Sequence, residues 1–223
     1  MRAASIGIAV AAAVARTWKP ALVGLLGFQS TARPEVVRVD GVRLEVRSVE
    51  FRASPPETLA RLRESWGEPQ ILRDGEHGAA PVRYVFGRQD GPRHLTLTLA
   101  ERERGRLGGV LAVQDLSLPT RAPAVPPLRM PNGMHLVNVV EYAGRSPAPV
   151  TFTIDSRPGP AAALQALVRS AQQAGWSAAA VLHGVFTAQR DGDQLTALAL
   201  VAPRGARVML QYEPAPRAAG GSP

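Results

Sequence analysis

One pattern recurs at a fixed spacing, and it limits what the two halves of this chain can build. The first copy is Val85-Phe86, Gln89, Leu95-Thr96 and Arg104-Gly105. The second is Val185-Phe186, Gln189, Leu195-Thr196 and Arg204-Gly205, each position one hundred residues further on. An Asp-Gly pair falls between the aromatic and the Leu-Thr both times, as Asp90-Gly91 and Asp191-Gly192. Asp-Gly between two apolar runs is a hairpin signal, because both residues accept the left-handed backbone that tight hairpin turns need. The recurrence therefore reads as a hairpin followed by a second turn at Arg-Gly.

The flanking elements repeat in the same order. Val36–Val39 and Val42–Phe51 read as strands around Asp40-Gly41, and Val42–Val46 alternates apolar and charged residues almost strictly, the pattern of a half-buried strand with one wet face. Ser54-Pro55-Pro56-Glu57 opens a helix whose Leu59, Leu62 and Trp66 fall on one face, and Gly67 and Pro69 close it. Residues 74–81 read as a polar loop. Strands are expected at Val82–Phe86, His94–Leu99 and Val110–Val113. In the second half they are expected at Met134–Tyr142 and Val150–Ile154. A helix over Ala161–Ala174 follows, with Leu164, Leu167, Val168 and Ala171 on its apolar face. Strands at Val181–Ala188, Gln194–Val201 and Arg207–Tyr212 complete it.

These readings give an α+β fold class: two duplicated modules, each one helix packed on an antiparallel sheet, in the order strands, helix, three-stranded meander. The expected boundaries are a leader over 1–32, module 1 over 33–116, a Pro-rich linker over 117–131, module 2 over 132–213 and a disordered tail over 214–223. Trp66 and Trp176 sit at the helix ends, and Phe51 and Phe152 precede the helices. A helix laid across a curved sheet in this order is similar in outline to the small modules of bacterial envelope assembly lipoproteins, though no diagnostic motif is shared.

The leader has the parts of an export signal. Arg16 and Lys19 precede a short apolar core, Ala21–Phe28, and Ser30-Thr31-Ala32 supplies small residues for cleavage. Ala13-Val14-Ala15 offers an alternative cleavage point. Neither apolar run reaches the roughly 20 residues of a spanning helix. Leu25-Leu26-Gly27-Phe28 resembles the bacterial lipoprotein signal, but Phe28 stands where the lipid-bearing cysteine belongs, so this chain carries no lipid there.

The net charge of +8 raises nucleic-acid binding as a class. The charge is dispersed, with Arg alternating with Glu in the first half, which makes a solvated mixed surface rather than a phosphate-binding stripe. Cysteine is absent, which removes disulfides, thiolate metal sites and cysteine nucleophiles.

No residues stand out as catalytic, cofactor-binding or metal-ligating. His77, His94, His135 and His183 have no partner at metal-ligand spacing. Serine has no nucleophile motif, and Lys19 in the leader is the only lysine. Glu101 and Glu103 alternate with Arg102 and Arg104 at a strand end, as on a solvated edge. Asp90-Gly91 and Asp191-Gly192 lack the further oxygen ligands of a calcium loop. Trp66, Trp176, Phe86 and Phe186 fit core packing. The functional expectation is a non-enzymatic, exported envelope protein, periplasmic or secreted, with no cofactor. It would act as a binding or assembly scaffold whose partner is another envelope protein. Nucleic acid is not expected, and membrane contact is confined to the leader. The alternative is a small-ligand or hydrolytic module with its site in a helix–sheet groove.

Overall fold

The computed structural model describes residues 28–30, 34–73, 82–102, 105–143 and 147–216. Its elements are β1 (Phe28–Ser30), β2 (Glu35–Val39), β3 (Val42–Phe51), α1 (Pro55–Trp66), β4 (Gln70–Arg73), β5 (Val82–Asp90), β6 (Arg93–Arg102) and β7 (Arg106–Asp115). Then come β8 (Met134–Tyr142), β9 (Val150–Ser156), α2 (Pro160–Gln173), β10 (Ser177–Leu182), β11 (Val185–Arg190), β12 (Asp193–Ala202) and β13 (Gly205–Glu213). The expected loop over 74–81, His77, Glu103, Arg104 and most of the leader and tail lie outside the described residues.

The expected fold class of two helix-on-sheet modules is corrected. Of the described residues 15% are helical and 56% strand, and they form two helices. The strand pairings run as one antiparallel sheet in the order β10-β11-β12-β13-β9-β8-β2-β3-β7-β6-β5-β4, with β1 added to β3. Two physical causes separate this from the expectation. Non-local pairing is not encoded in local pattern: Val37, Arg38 and Val39 of β2 pair with Tyr142, Glu141 and Val140 of β8. The expected three-stranded meanders also gain strands. β4 pairs with β5 ahead of the first meander. The expected strand Val181–Ala188 folds back on itself at His183-Gly184, giving β10 and β11. His183 (φ 50) and Gly184 (φ 77) both adopt left-handed backbone there, a turn that histidine does not advertise.

By contacts the chain divides into two units. The first takes Met1–Val36 with Arg43–Pro119, and the second takes Val37–Val42 with Thr120–Pro223. In the first, Leu59, Leu62 and Trp66 of α1 meet Phe86, Leu95, Leu97, Leu99, Leu107, Leu111 and Val113, with Val49 and Phe51 of β3. Ser54 precedes α1 but makes no side-chain cap. The helix entry is closed instead by the Thr58 amide donating to the Ser54 carbonyl, and Glu57 pairs with Arg61 one turn on.

In the second unit, Ala163, Leu164, Leu167 and Ala171 of α2 face Phe152, Ile154, Phe186, Ala188, Leu195, Ala197, Val208 and Leu210. The helix ends at Gly175 (φ 78), where the Trp176 amide returns to the Ala171 carbonyl. Part of the Pro-rich segment is docked on this unit. The Arg121 amide donates to Gly41, the Ala124 amide donates to Glu141, Ser170 Oγ donates to the Arg129 carbonyl, and Leu128 enters the core.

The two hairpins share a register. Phe86 pairs with Leu97 and Gln89 with His94, while Phe186 pairs with Ala197 and Gln189 with Gln194. The turns differ by one position. In the first, Asp90 and Arg93 are the closing pair, so Gly91-Pro92 form the two-residue loop. In the second, Arg190 and Asp193 close it, and Asp191-Gly192 are central. Gly91 (φ 56) followed by proline suits a type II′ turn, whereas Asp191 (φ 52) and Gly192 (φ 87) suit type I′.

Candidate functional site

The sequence left open whether a groove between helix and sheet holds a site. In each unit that space is filled. Phe86, Leu62, Leu95 and Leu99 in the first unit, and Phe186, Phe152, Leu167 and Leu195 in the second, are fully buried against one another. Trp66 and Trp176 join these cores. The histidines are not brought together: His94 lies on β6, His135 on β8 and His183 in the β10–β11 turn. Among the described residues no group of three or more His, Cys, Asp or Glu is placed to hold a metal ion. Glu101 is exposed near the end of β6.

What the sheet of the second unit presents instead is an apolar outer face. Strand side chains alternate between faces, so β12 sends Leu195 and Ala197 toward α2, and Thr196, Leu198 and Leu200 away from it. Across the strands Leu182 pairs with Val185, Val185 with Leu198, and Leu198 with Met209. Directly paired residues have Cβ atoms about 5 Å apart, so these four side chains form one continuous row. Leu182 is 66% exposed, Leu198 50% and Met209 47%. Covering side chains left this open stabilises a complex by about 1 kcal/mol each, and scattered exposure would not line them up.

The row runs into the tip of the β12–β13 hairpin. Leu200 is 57% and Val201 86% exposed, and Ala202 pairs with Gly205 to close the turn around Pro203-Arg204. Val185 is paired with Leu198, which places Leu200 and Val201 past the β10–β11 turn. The two residues project to opposite faces of the tip.

Charge is polarised along the strands of this unit. At the hairpin-tip end, His135, Arg157, Arg204 and Arg207 line a cavity of about 520 Å³ in which Asp155 is the one acid. Arg207 Nε donates to Asp155 Oδ1 at 2.9 Å, and that partner holds the guanidinium even more firmly charged than usual. At the opposite end lie Glu141, Asp191, Asp193 and Glu213. There Asp193 accepts bonds from Tyr212 Oη at 2.7 Å and the Ala215 amide at 2.8 Å. Arg190 is held over the Trp176 ring at 4.6 Å and donates to the Ala174 carbonyl.

Neither the row nor the polarised ends figured in the sequence reading. The signal was present in β12, where Leu198, Leu200 and Val201 break the alternation that a half-buried strand should keep.

No protein-family model and no curated protein matches the chain. A solved structure that aligns with it is the crystal structure of MucB in complex with MucA(peri), at 16% identity over 83% of this chain and 86% of that one. The TM-score is 0.14, a level at which the likeness guides neither fold nor role.

Proposed function

We propose that this chain is a non-enzymatic, exported envelope protein that works as a binding scaffold, and that it holds a partner protein on the outer sheet face of its second unit. The row Leu182–Val185–Leu198–Met209 carries the reading. Export is motivated by the leader, with its Arg16 and Lys19 flank, apolar core and small residues before a cleavage point. No helix among the described residues is long and apolar enough to cross a membrane.

Buried Phe, Trp and Leu side chains fill the helix–sheet space of each unit, which favours this reading over a small-ligand or hydrolytic site in that groove. Strand addition to a sheet edge is a second route to a partner. It is poorly served at β10, where pairing with β11 is irregular between Ser177 and Ala180 and Ala178 takes φ 49. Such a bulge bends an edge away from regular pairing.

The test is capture from envelope extract with the wild-type chain and with Leu198→Glu/Met209→Glu. The reading expects a partner retained by wild type and lost by the variant, with the variant's circular dichroism unchanged. Equal capture by both would refute it. Cell fractionation addresses export separately, and an uncleaved chain in the cytosol would count against it.

A further inference from the structure

We infer that the β12–β13 hairpin end of the second unit docks on the surface of an anionic phospholipid bilayer. This goes beyond the partner-binding reading and adds a membrane contact to any made by the leader.

Three observations meet at this end. Leu200 and Val201 project apolar side chains to both faces of a tip that extends past the neighbouring turn. Two-sided apolar exposure on a projection leaves no groove for a rigid partner to fill, whereas a bilayer deforms around it. The second observation is the cationic surround. Arg157 and Arg204 have no ion-pair partner among the described residues, and both line the cavity beside the tip with Arg207 and His135. The third is the segregation of Glu141, Asp191, Asp193 and Glu213 to the far end. The one acid of the tip-end cavity, Asp155, is paired with Arg207, so an anionic surface meets the unit with its net cationic end foremost.

The arrangement suits an interface with depth. Apolar tips enter the boundary between headgroups and acyl chains while arginines stay level with the phosphates. Arginine near an anionic leaflet contributes about fivefold each to partition.

The experiment is co-sedimentation of the purified full chain with vesicles of 70% phosphatidylcholine and 30% phosphatidylglycerol, and with pure phosphatidylcholine vesicles. Every protein compared carries the same leader, so differences report the hairpin end. Wild type should favour the anionic vesicles and release as salt is raised. Arg157→Glu/Arg204→Glu should weaken that binding by about 25-fold or more. Leu200→Asp/Val201→Asp should weaken it at least as much. Leu200→Ser/Val201→Ser serves the same purpose if the aspartates disturb folding by circular dichroism. Equal binding to both vesicle types, or variants that bind as wild type does, would overturn the inference. So would binding to soluble polyglutamate with no vesicle binding, which would assign the end to an acidic protein. No partner protein is in the assay, so its failure leaves the partner-binding reading standing.

Discussion

Val85, Thr98 and Val110 stand side by side across β5, β6 and β7 in the first unit, as Val185, Leu198 and Met209 do across β11, β12 and β13 in the second. The next rung continues the contrast. Ala100 and Gly108 pair in the first unit, while Leu200 and Arg207 pair in the second. The faces toward the helices differ far less. Phe86, Leu95 and Leu97 are buried in one, and Phe186, Leu195 and Ala197 in the other. One pairing scheme thus carries two outer surfaces. The first has short side chains whose Thr96, Thr98 and Ala100 are only partly exposed, and the second has long apolar ones standing in the open. The buried cores lie on the helix side of each unit, and the proposed binding surface lies on the outside of one of them.

If that division is sound, the inner positions should behave alike. Phe86→Ala and Phe186→Ala each delete a fully buried ring. Each should cost about 3–5 kcal/mol in denaturant unfolding, with the loss falling on the unit that carries the change. A large cost at one and almost none at the other would break the comparison.

A smaller effect tests how the two inner faces are filled. Leu99 pairs with Gly109 in the first unit, and Ala199 pairs with Val208 in the second. A Cβ on Gly109 would overlap the Thr98 carbonyl oxygen. Gly109→Ala should therefore destabilise by about 2 kcal/mol, because backbone must shift. Thermal unfolding that matched wild type would show that the tight approach of β6 to β7 is not needed.

Turns supply a still smaller difference. His183 occupies a left-handed position (φ 50) that Asp191 also holds in the following turn. His183→Asn should stabilise by roughly 0.5 kcal/mol, since asparagine tolerates that backbone better. A loss of stability would indicate that the imidazole has a role of its own.

The smallest effect is local to the first unit's exit. Asp115 accepts bonds from the hydroxyl and amide of Ser117, which hold its carboxyl below the ordinary value of 3.8. A carboxyl lowered in the folded state adds stability above its unfolded pKa, and that stability is lost as pH falls through the folded value. Ser117→Ala should move the Asp115 titration upward, as read by carboxyl NMR. An unchanged titration would assign the shift to something other than this turn.

Local pattern made much of this legible. Helical spacing marks Leu59, Leu62, Trp66, Leu164, Leu167 and Ala171, all buried, but also Val168, which is only partly buried, and it passes over Ala163. Phe86 and Phe186 are expected in the core because large aromatics dominate small cores. What pattern could not show was which strands pair at a distance. Val37–Val39 look like any alternating strand, and nothing local directs them to Val140–Tyr142. The Ser54 cap was read from residue types, yet its hydroxyl makes no such bond. Phe51 and Phe152 both precede a helix, which sequence order alone treats as one position. Their pairing differs: Phe152 opposes Leu210, whereas Glu50 opposes Gly108 one step before Phe51. The β1 pairing of Phe28 with Phe51 likewise lies within the stretch read as leader. The outer row escaped notice because exposure depends on what the rest of the chain leaves uncovered, and composition carries no record of that.

The central claim is that the two outer faces differ in function while sharing a scaffold. Its most direct test gives the second unit the first unit's side chains at matching positions, Leu198→Thr with Met209→Val, and measures partner capture and unfolding together. The account predicts stability within about 0.5 kcal/mol of wild type, as for exposed substitutions, with capture abolished. Capture that persists undiminished in a stably folded variant would contradict it.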